Sequence, residues 1–266
     1  MGIKLVALDL DGTVLGEAPV ITVAVVQAIA AVQARGIPVV IVTGRMHRSA
    51  LPYHQQIQSP LPLISYQGAL IKDPQDGRVV RHLKVPRSLA LDILSYLQAH
   101  QMTVHLYLND NLYIQGPPQP WNLSYAERTG VPLTVVPDLA RRITEDPTKL
   151  LAFWDQDTTE LWAELQQKYA PSELYLTRST NQFIEATHPQ ANKGAAVAYL
   201  VETLGLVPDQ VLAIGDYFND LEMIRFAGVG IAMATAPRLV QAEADWVAPP
   251  VTEDGVAVAL HKFILD

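Results

Sequence analysis

Two aspartates separated by one residue open the segment Asp9-Leu10-Asp11-Gly12-Thr13. Carboxylates this close repel each other unless a cation compensates them, so the segment favours metal binding. Gly12 permits a sharp turn in which successive backbone N–H groups converge on an anion. An exposed aspartate, with a pKa of about 3.9, is ionised at neutral pH. The segment therefore predicts ionised carboxylates, a cation and an anion in one place.

Three later segments carry chemically matching groups: Thr43-Gly44-Arg45, Asn192-Lys193-Gly194 and Gly215-Asp216-Tyr217-Phe218-Asn219-Asp220. The first begins a predicted helix, where a hydroxyl and free N–H groups favour phosphate. The second adds the Lys193 ammonium, and the third adds the Asp216 carboxylate at a strand end. Carboxylate and carbonyl oxygens are the ligands that Mg²⁺ prefers, so the four segments predict a site for Mg²⁺ and a phosphoryl group.

These polar segments follow short apolar runs that are typical of parallel strands buried on both faces. The runs occupy residues 3–8, 38–42, 61–65, 210–215 and 229–233, and helical patterns lie between them. Alternation of strand and helix predicts an α/β fold with a three-layer, Rossmann-like parallel sheet. Because the carboxyl ends of parallel strands share one edge, we expect the polar segments to meet there.

The pattern changes near Lys84, where a helix over 86–101 precedes a hairpin of residues 103–108 and 112–115. Asn109-Asp110-Asn111 is suited to the turn of that hairpin. Strands at 149–154, 174–178 and 183–186 and a helix at 158–169 follow. We therefore predict an inserted α+β domain at 84–187, between core segments 1–83 and 188–266.

Composition narrows the possible partners. The chain has 266 residues, a net charge of −8 and no cysteine. The charge and the scattered basic residues disfavour nucleic acid and anionic membranes, and the missing cysteine excludes disulfides and thiolate chemistry. The most apolar stretch, 20–32, is interrupted by Thr22 and Gln27 and is too short for a membrane span. We expect a cytoplasmic protein without a membrane or nucleic-acid partner.

The four segments, in this order, resemble the motifs of the haloacid dehalogenase-like hydrolase superfamily. The pentapeptide DLDGT, the Thr after VVIV, Lys193 and GDYFND carry the resemblance, which is strong in the core. The chain is most similar to the Cof-type sugar-phosphatase branch, whose members have a large inserted α+β cap (C2-type). The resemblance implies a Mg²⁺-dependent phosphatase that acts on small phosphorylated metabolites, most simply sugar phosphates, through an aspartyl-phosphate.

The resemblance also implies a role for each matching residue. Asp9 would be the nucleophile and a Mg²⁺ ligand, Asp11 the general acid/base and a ligand through its backbone carbonyl, and Asp216 the second carboxylate ligand. The groups expected to bind phosphate are the Leu10 N–H, Thr43, Gly44, Lys193 and Asn219. Asp11 would be held protonated beside ionised Asp9.

Three further residues have less definite expected roles. Asp220 would orient Lys193 or support the metal shell, although an acid in the first turn of a helix is favourable anyway. Arg45 would bind phosphate or pair with a surface acid. Gln67, in Tyr66-Gln67-Gly68-Ala69, occupies a loop where many relatives carry Asn-Gly-Ala, so its substrate contacts are an open question.

Two other functions stay open at this point. A phosphomutase would need basic residues in the cap, and the available ones are scattered: Arg128, Arg141, Arg142 and Arg178. A catalytically idle binding module could keep the same fold, since fold alone does not fix function. The four intact segments favour the phosphatase.

Overall fold

The structure is a computed structural model, and it describes residues 2–178 and 181–266. By its internal contacts the chain divides into two compact units. One consists of Met1–Arg81 and Asn192–Asp266, and the other of His82–Ala191. The second unit is therefore inserted into the sequence of the first.

The described part of the chain contains fourteen strands: β1 Leu5–Leu8, β2 Val39–Ile41, β3 Leu63–Ser65, β4 Leu70–Lys72, β5 Val79–His82, β6 Thr103–Leu108, β7 Asn111–Gln115, β8 Leu133–Val136, β9 Lys149–Phe153, β10 Tyr175–Thr177, β11 Phe183–Thr187, β12 Val211–Gly215, β13 Val229–Met233 and β14 Trp246–Ala248. The same residues form ten α-helices: α1 Val23–Ala34, α2 His47–Gln56, α3 Arg87–Ala99, α4 Pro120–Thr129, α5 Leu139–Arg142, α6 Thr159–Lys168, α7 Lys193–Thr203, α8 Leu221–Phe226, α9 Arg238–Gln241 and α10 Gly255–Leu260. None of the described helices combines the length and the apolar character needed to cross a bilayer.

A five-stranded parallel sheet forms the centre of the first unit, in the order β14-β13-β12-β1-β2. Its inner strands, β1 and β12, are buried along their whole length, as their continuous apolar sequences predict. Helices α1 and α10 pack on one face, through Ile29 and Leu260, and α7 and α8 pack on the other, through Val197 and Met223. The predicted three-layer α/β fold is confirmed.

Strand order reverses beside β1. The chain continues from β1 to β2 on one side, whereas β12 pairs with β1 on the other. Helices that follow strands on opposite sides of such a point diverge, and their divergence leaves a crevice at the carboxyl ends of the strands. The ends of β1 and β12 are therefore the place where a ligand-binding crevice is expected.

The third predicted strand differs from the expectation. Residues 61–65 were expected to extend the parallel sheet, but β3 joins β2 only through an isolated parallel bridge between Val42 and Ile64. It then pairs antiparallel with β4 in a three-stranded sheet of order β3-β4-β5. The cause is a reversal at Tyr66 and Gln67, whose φ values of 53° and 58° turn the chain back on itself. A crossover helix is therefore not needed after β3.

The second unit is built on a six-stranded sheet of order β10-β11-β9-β6-β7-β8. Helices α3 and α6 cover one face of it, with Ile93 and Leu165 in the shared core. The predicted hairpin is present as β6 and β7, and its turn residues Asn109 and Asp110 have φ values of 52° and 55°. Positive φ at both positions is typical of a type I′ turn, which matches the strand twist.

Three short elements of this unit, α4, β8 and α5, were not predicted from the sequence. Strand β8 pairs parallel with β7, and α4 begins directly after a loop rich in proline. Helix α4 places Trp121 in a stack on His105, with ring centroids 4.4 Å apart. Burial lowers the pKa of His105 to about 3, so this histidine is a neutral packing residue at physiological pH.

Candidate active site

Asp9 lies immediately after β1, at the crevice between β1 and β12. Its N–H continues the sheet by donating to the carbonyl of Ile214 over 3.0 Å, which fixes the backbone at the start of the loop. The residue is only 3% exposed. The expectation of an exposed, readily ionised carboxylate is therefore wrong: burial raises the pKa of Asp9 well above its ordinary range, and Lys193 opposes that rise.

Lys193 begins helix α7 and is 1% exposed. The side chain of Asn192 caps the helix by accepting a 2.7 Å hydrogen bond from the N–H of Ala195, and this fixes the position of the first turn. The Lys193 ammonium donates to a carboxylate oxygen of Asp9 and, over 2.6 Å, to Oδ1 of Asp220. Burial alone would lower the pKa of Lys193, but Asp220 and Asp9 outweigh it and raise the pKa, so the ammonium stays charged.

Asp220 orients Lys193, and both of its oxygens accept hydrogen bonds. Its Oδ1 accepts from Lys193, and its Oδ2 accepts from the backbone N–H groups of Asp216 (2.9 Å) and Tyr217 (3.1 Å). The side chain is completely buried. A buried carboxylate with this many donors is held in one orientation, so Asp220 positions the ammonium and the loop after β12.

The carboxylates of Asp9 and Asp216 are suited to bind a divalent cation. Ligand atoms of Asp9, Asp216 and Asp220 lie within 4.8 Å of one another, and Lys193 is the ammonium among them. Three carboxylates against one ammonium leave excess negative charge, and burial and the neighbouring Asp220 raise the pKa of Asp216 to about 6. Because the oxygens of Asp220 are engaged, Asp9 and Asp216 are the donors available to a hard cation such as Mg²⁺.

Apart from Lys193 at the start of α7, the groups expected to bind phosphate lie on the loops after β1, β2 and β12. Thr43 is buried, and its hydroxyl accepts a 3.1 Å hydrogen bond from the N–H of Arg45. The N–H groups of Leu10 and Gly44 take no part in the backbone hydrogen bonds among the described residues. Backbone donors without an acceptor are suited to an anion.

Gln67 lies against two of these phosphate-site residues. Its Oε1 accepts a 3.0 Å hydrogen bond from Nδ2 of Asn219, and its amide nitrogen fills the space where a Cβ of Gly44 would stand. The sequence did not predict this contact, because residues 67 and 219 are far apart along the chain. Gln67 thus supports the loop of Gly44 from behind and orients Asn219.

Asp11 stands apart from the other acids. Its side chain is 56% exposed, and both of its oxygens accept from Arg45, at 2.7 Å from Nε and 2.5 Å from Nη2. Asp11 was expected to act as an acid beside Asp9, but in this conformation its carboxylate is turned to Arg45 instead. Of the two expected roles of Arg45, the structure therefore has it paired with an acid.

We expect Gly12→Ala to lower kcat/KM for phosphate release about 100-fold. Gly12 has a φ of +83°, and a Cβ there would overlap the carboxylate of Asp216. The substitution would force the two strand-end loops apart. Gly36→Ala is a matched control: Gly36 has a φ of +77°, but a Cβ there meets nothing. It should cost about 1–2 kcal/mol of stability and keep full activity. Equal activity of the two variants, measured beside their thermal unfolding, would contradict this explanation.

The fold and the site together define a class of protein: an α/β enzyme that holds a buried aspartate, a lysine and oxygen ligands at the switch point of its sheet. The chain belongs to the haloacid dehalogenase-like hydrolase family, whose sequence model matches residues 6–260.

Similar proteins cover the whole chain. YxeH of Bacillus subtilis (strain 168), provisionally named a phosphatase, is 32% identical over 281 residues, which cover 98% of each chain. The pyridoxal phosphate phosphatase YbhA of Escherichia coli (strain K12) is 27% identical over 278 residues, with 100% of each chain covered. The crystal structure of a haloacid dehalogenase-like hydrolase from Bacteroides thetaiotaomicron is 25% identical and superimposes with a TM-score of 0.89, over 98% of this chain and 99% of that one. The branch of the family to which this enzyme is similar is therefore one of phosphatases.

Proposed function

We propose that this enzyme is a Mg²⁺-dependent phosphatase that hydrolyses small phosphomonoesters through an aspartyl-phosphate on Asp9. One observation carries the proposal: a buried ammonium, Lys193, bridges Asp9 and Asp220 at the switch point of the sheet, with Asp216 alongside. An ammonium and convergent oxygen ligands in a crevice are what phosphoryl transfer requires, because catalysis there is mainly positioning and charge stabilisation.

The reaction would proceed in two steps. In the first, a carboxylate oxygen of Asp9 attacks phosphorus, the ester P–O bond breaks, and Asp11 gives a proton to the departing alkoxide. In the second, Asp11 takes a proton from water, the resulting hydroxide attacks the acyl phosphate, and inorganic phosphate leaves Asp9 as a carboxylate. Lys193, Thr43 and the backbone N–H groups at Leu10 and Gly44 would hold the phosphoryl oxygens throughout.

Mg²⁺ has a clear place in this proposal. The carboxylates of Asp9 and Asp216 and the backbone carbonyl of Asp11 would hold it. When bound, it would offset negative charge on the phosphoryl oxygens. Burial raises the pKa values of Asp9 and Asp216, and a cation held between these carboxylates would oppose that rise. Cation binding would therefore also keep the nucleophile ionised.

The inserted unit His82–Ala191 is the candidate cap, which would exclude water and select the leaving group. We propose small phosphorylated metabolites, sugar phosphates first, as the substrates. The Escherichia coli relative is named for pyridoxal phosphate, a small phosphate ester of the same general kind. Alkyl phosphates that carry an aromatic ring therefore belong in the same screen.

The phosphomutase alternative is disfavoured by the basic residues that it would need. Each of the four candidates is engaged with a different partner inside the inserted unit: Arg128 with the ring of Tyr125, Arg141 with Asp138, Arg142 with Tyr113 and Arg178 with Thr159. They do not converge, so they form no second phosphate site among the described residues. An idle binding module would not require a buried nucleophile with a dedicated lysine.

A phosphate-release screen tests the proposal. Wild-type enzyme with Mg²⁺ is given sugar phosphates, pyridoxal phosphate and p-nitrophenyl phosphate, and inorganic phosphate is measured. We expect release from several esters, a fall of at least about tenfold on chelation of divalent ions, and recovery when Mg²⁺ is returned. An unchanged rate after chelation would end the metal assignment. Transfer of phosphate between bisphosphorylated sugars without release of inorganic phosphate would favour the mutase. No activity on any ester would favour a binding module.

A further inference from the structure

The bidentate pair between Arg45 and Asp11 places the proposed acid/base away from the reacting centre. Both carboxylate oxygens of Asp11 face the guanidinium, at 2.5 and 2.7 Å. Asp11 does not belong to the cluster of acids around Asp9 whose ligand atoms lie within 4.8 Å of one another. In this position both oxygens of Asp11 are paired with Arg45 and not directed to a leaving oxygen of a phosphoryl group on Asp9.

Arg45 is the fixed partner of the pair. Its side chain is 10% exposed, against 56% for Asp11. Its guanidinium carbon lies 5.2 Å from the ring centroid of Tyr53, and Nη1 lies 3.4 Å from the Tyr53 hydroxyl, which itself donates to the carbonyl of Pro19 over 3.3 Å.

The backbone of Arg45 is held as well. Its N–H donates to the hydroxyl of Thr43, and its carbonyl accepts a 2.8 Å hydrogen bond from the N–H of Tyr66. Any separation of the pair must therefore come from movement of Asp11, the exposed member.

We propose that Arg45 is a positioning residue that holds Asp11 in a resting orientation, and that this pair opens in each catalytic cycle before the leaving group is protonated. This inference rests on the proposed function, because it takes Asp11 as the acid of that reaction. Tyr53 contributes by holding Arg45 in place. The cost of opening the pair is then part of the barrier for every substrate that needs an acid.

The dependence of the rate on the leaving group measures this cost. An alkyl phosphate needs a proton on its leaving oxygen, whereas p-nitrophenolate leaves readily without one. We expect Arg45→Met to raise the ratio of kcat/KM for alkyl over aryl ester about three- to fivefold, the contribution of a partly exposed ion pair. Tyr53→Phe should raise it less. Arg48→Met, an exposed arginine in the same helix α2, is the matched control and should leave the ratio at its wild-type value.

The alkyl ester is the one that the wild type hydrolyses fastest in the screen above, and Asp11→Asn is measured beside the arginine variants. Asp11→Asn should lower the ratio.

If Asp11→Asn lowers the ratio and Arg45→Met leaves it unchanged or lowers it, the inference fails while the proposed function stands. A loss of equal size on both esters in Arg45→Met would make Arg45 a phosphate ligand and overturn the inference. No phosphate release by the wild type, or an unchanged ratio in Asp11→Asn, would overturn the proposed mechanism itself. If Arg45→Met does not fold, Tyr53→Phe tests the inference instead: a higher ratio of kcat/KM for the alkyl over the aryl ester supports it, and an unchanged or lower ratio contradicts it.

Discussion

Replacing Asp9 by asparagine is expected to lower kcat/KM for phosphate release roughly 10⁴-fold or more, because an amide cannot form the aspartyl-phosphate. The amide oxygen can still accept the hydrogen bond from Lys193, so the site keeps its shape. The substitution also removes one of three crowded carboxylates, and we therefore expect no loss of thermal stability.

The measurement combines phosphate release with a search for the intermediate. Wild-type enzyme quenched in acid during turnover should carry a phosphate on the peptide that contains Asp9, and Asp9→Asn should not. Asp209→Asn is the matched control, since Asp209 is exposed and lies in the turn after helix α7. It should behave as wild type. Full activity in Asp9→Asn, or a phosphorylated peptide elsewhere in the chain, would end the proposed mechanism.

Lys193→Met is expected to affect both activity and folding. Removing the ammonium takes away a ligand of the phosphoryl oxygens, so we expect a fall in kcat/KM of roughly 10³-fold. It also leaves Asp9 and Asp220 buried without their partner, and breaking a buried ion pair in this way costs about 3–5 kcal/mol of the free energy of unfolding. Denaturant unfolding and phosphate release, measured on the same preparation, check the two effects.

A second substitution separates the two effects. Asp220→Asn in the Lys193→Met background removes one uncompensated charge, so it should recover part of the lost stability but none of the activity. Lys4→Met removes an exposed lysine and should change neither. If Lys193→Met were as stable as wild type, the bridging ammonium would not be a structural necessity. If the double variant regained activity, Lys193 would have no direct role towards phosphate.

Much of the fold could be predicted from local patterns. Apolar runs that end at polar residues located the strands of the parallel sheet, and helix α1 follows the first of them, capped by Thr22, which accepts from the N–H of Val25. The family resemblance is confirmed, and with it the arrangement of the core. Strand β3 forms where the pattern predicts it, but it adds only one parallel bridge beside β2, because the reversal at Tyr66 and Gln67 pairs it with β4. The pattern missed α4, β8 and α5, which are short and gain their stability from packing on the rest of the sheet.

The charge states at the site were not predictable in this way. Asp9 and Asp11 are two residues apart and of the same type, yet Asp9 is buried beside a lysine and Asp11 is exposed beside an arginine. The local sequence gives no reason to expect different environments for Asp9 and Asp11. Burial and the choice of partner depend on Lys193 and Arg45, which reach the loop from other parts of the chain, and these two factors set the pKa of a carboxylate.

The sequence by itself determined the class of enzyme. The residue types that follow each apolar strand are a local property, so they can be recognised without knowing the fold. Only the tertiary structure decided that Asp220 accepts from Lys193 and two backbone N–H groups, that Gln67 supports Asn219, and that Arg45 holds Asp11. Those assignments depend on distances between side chains that are remote in sequence. Such distances follow from how the sheet and its helices pack, and packing is a property of the whole chain.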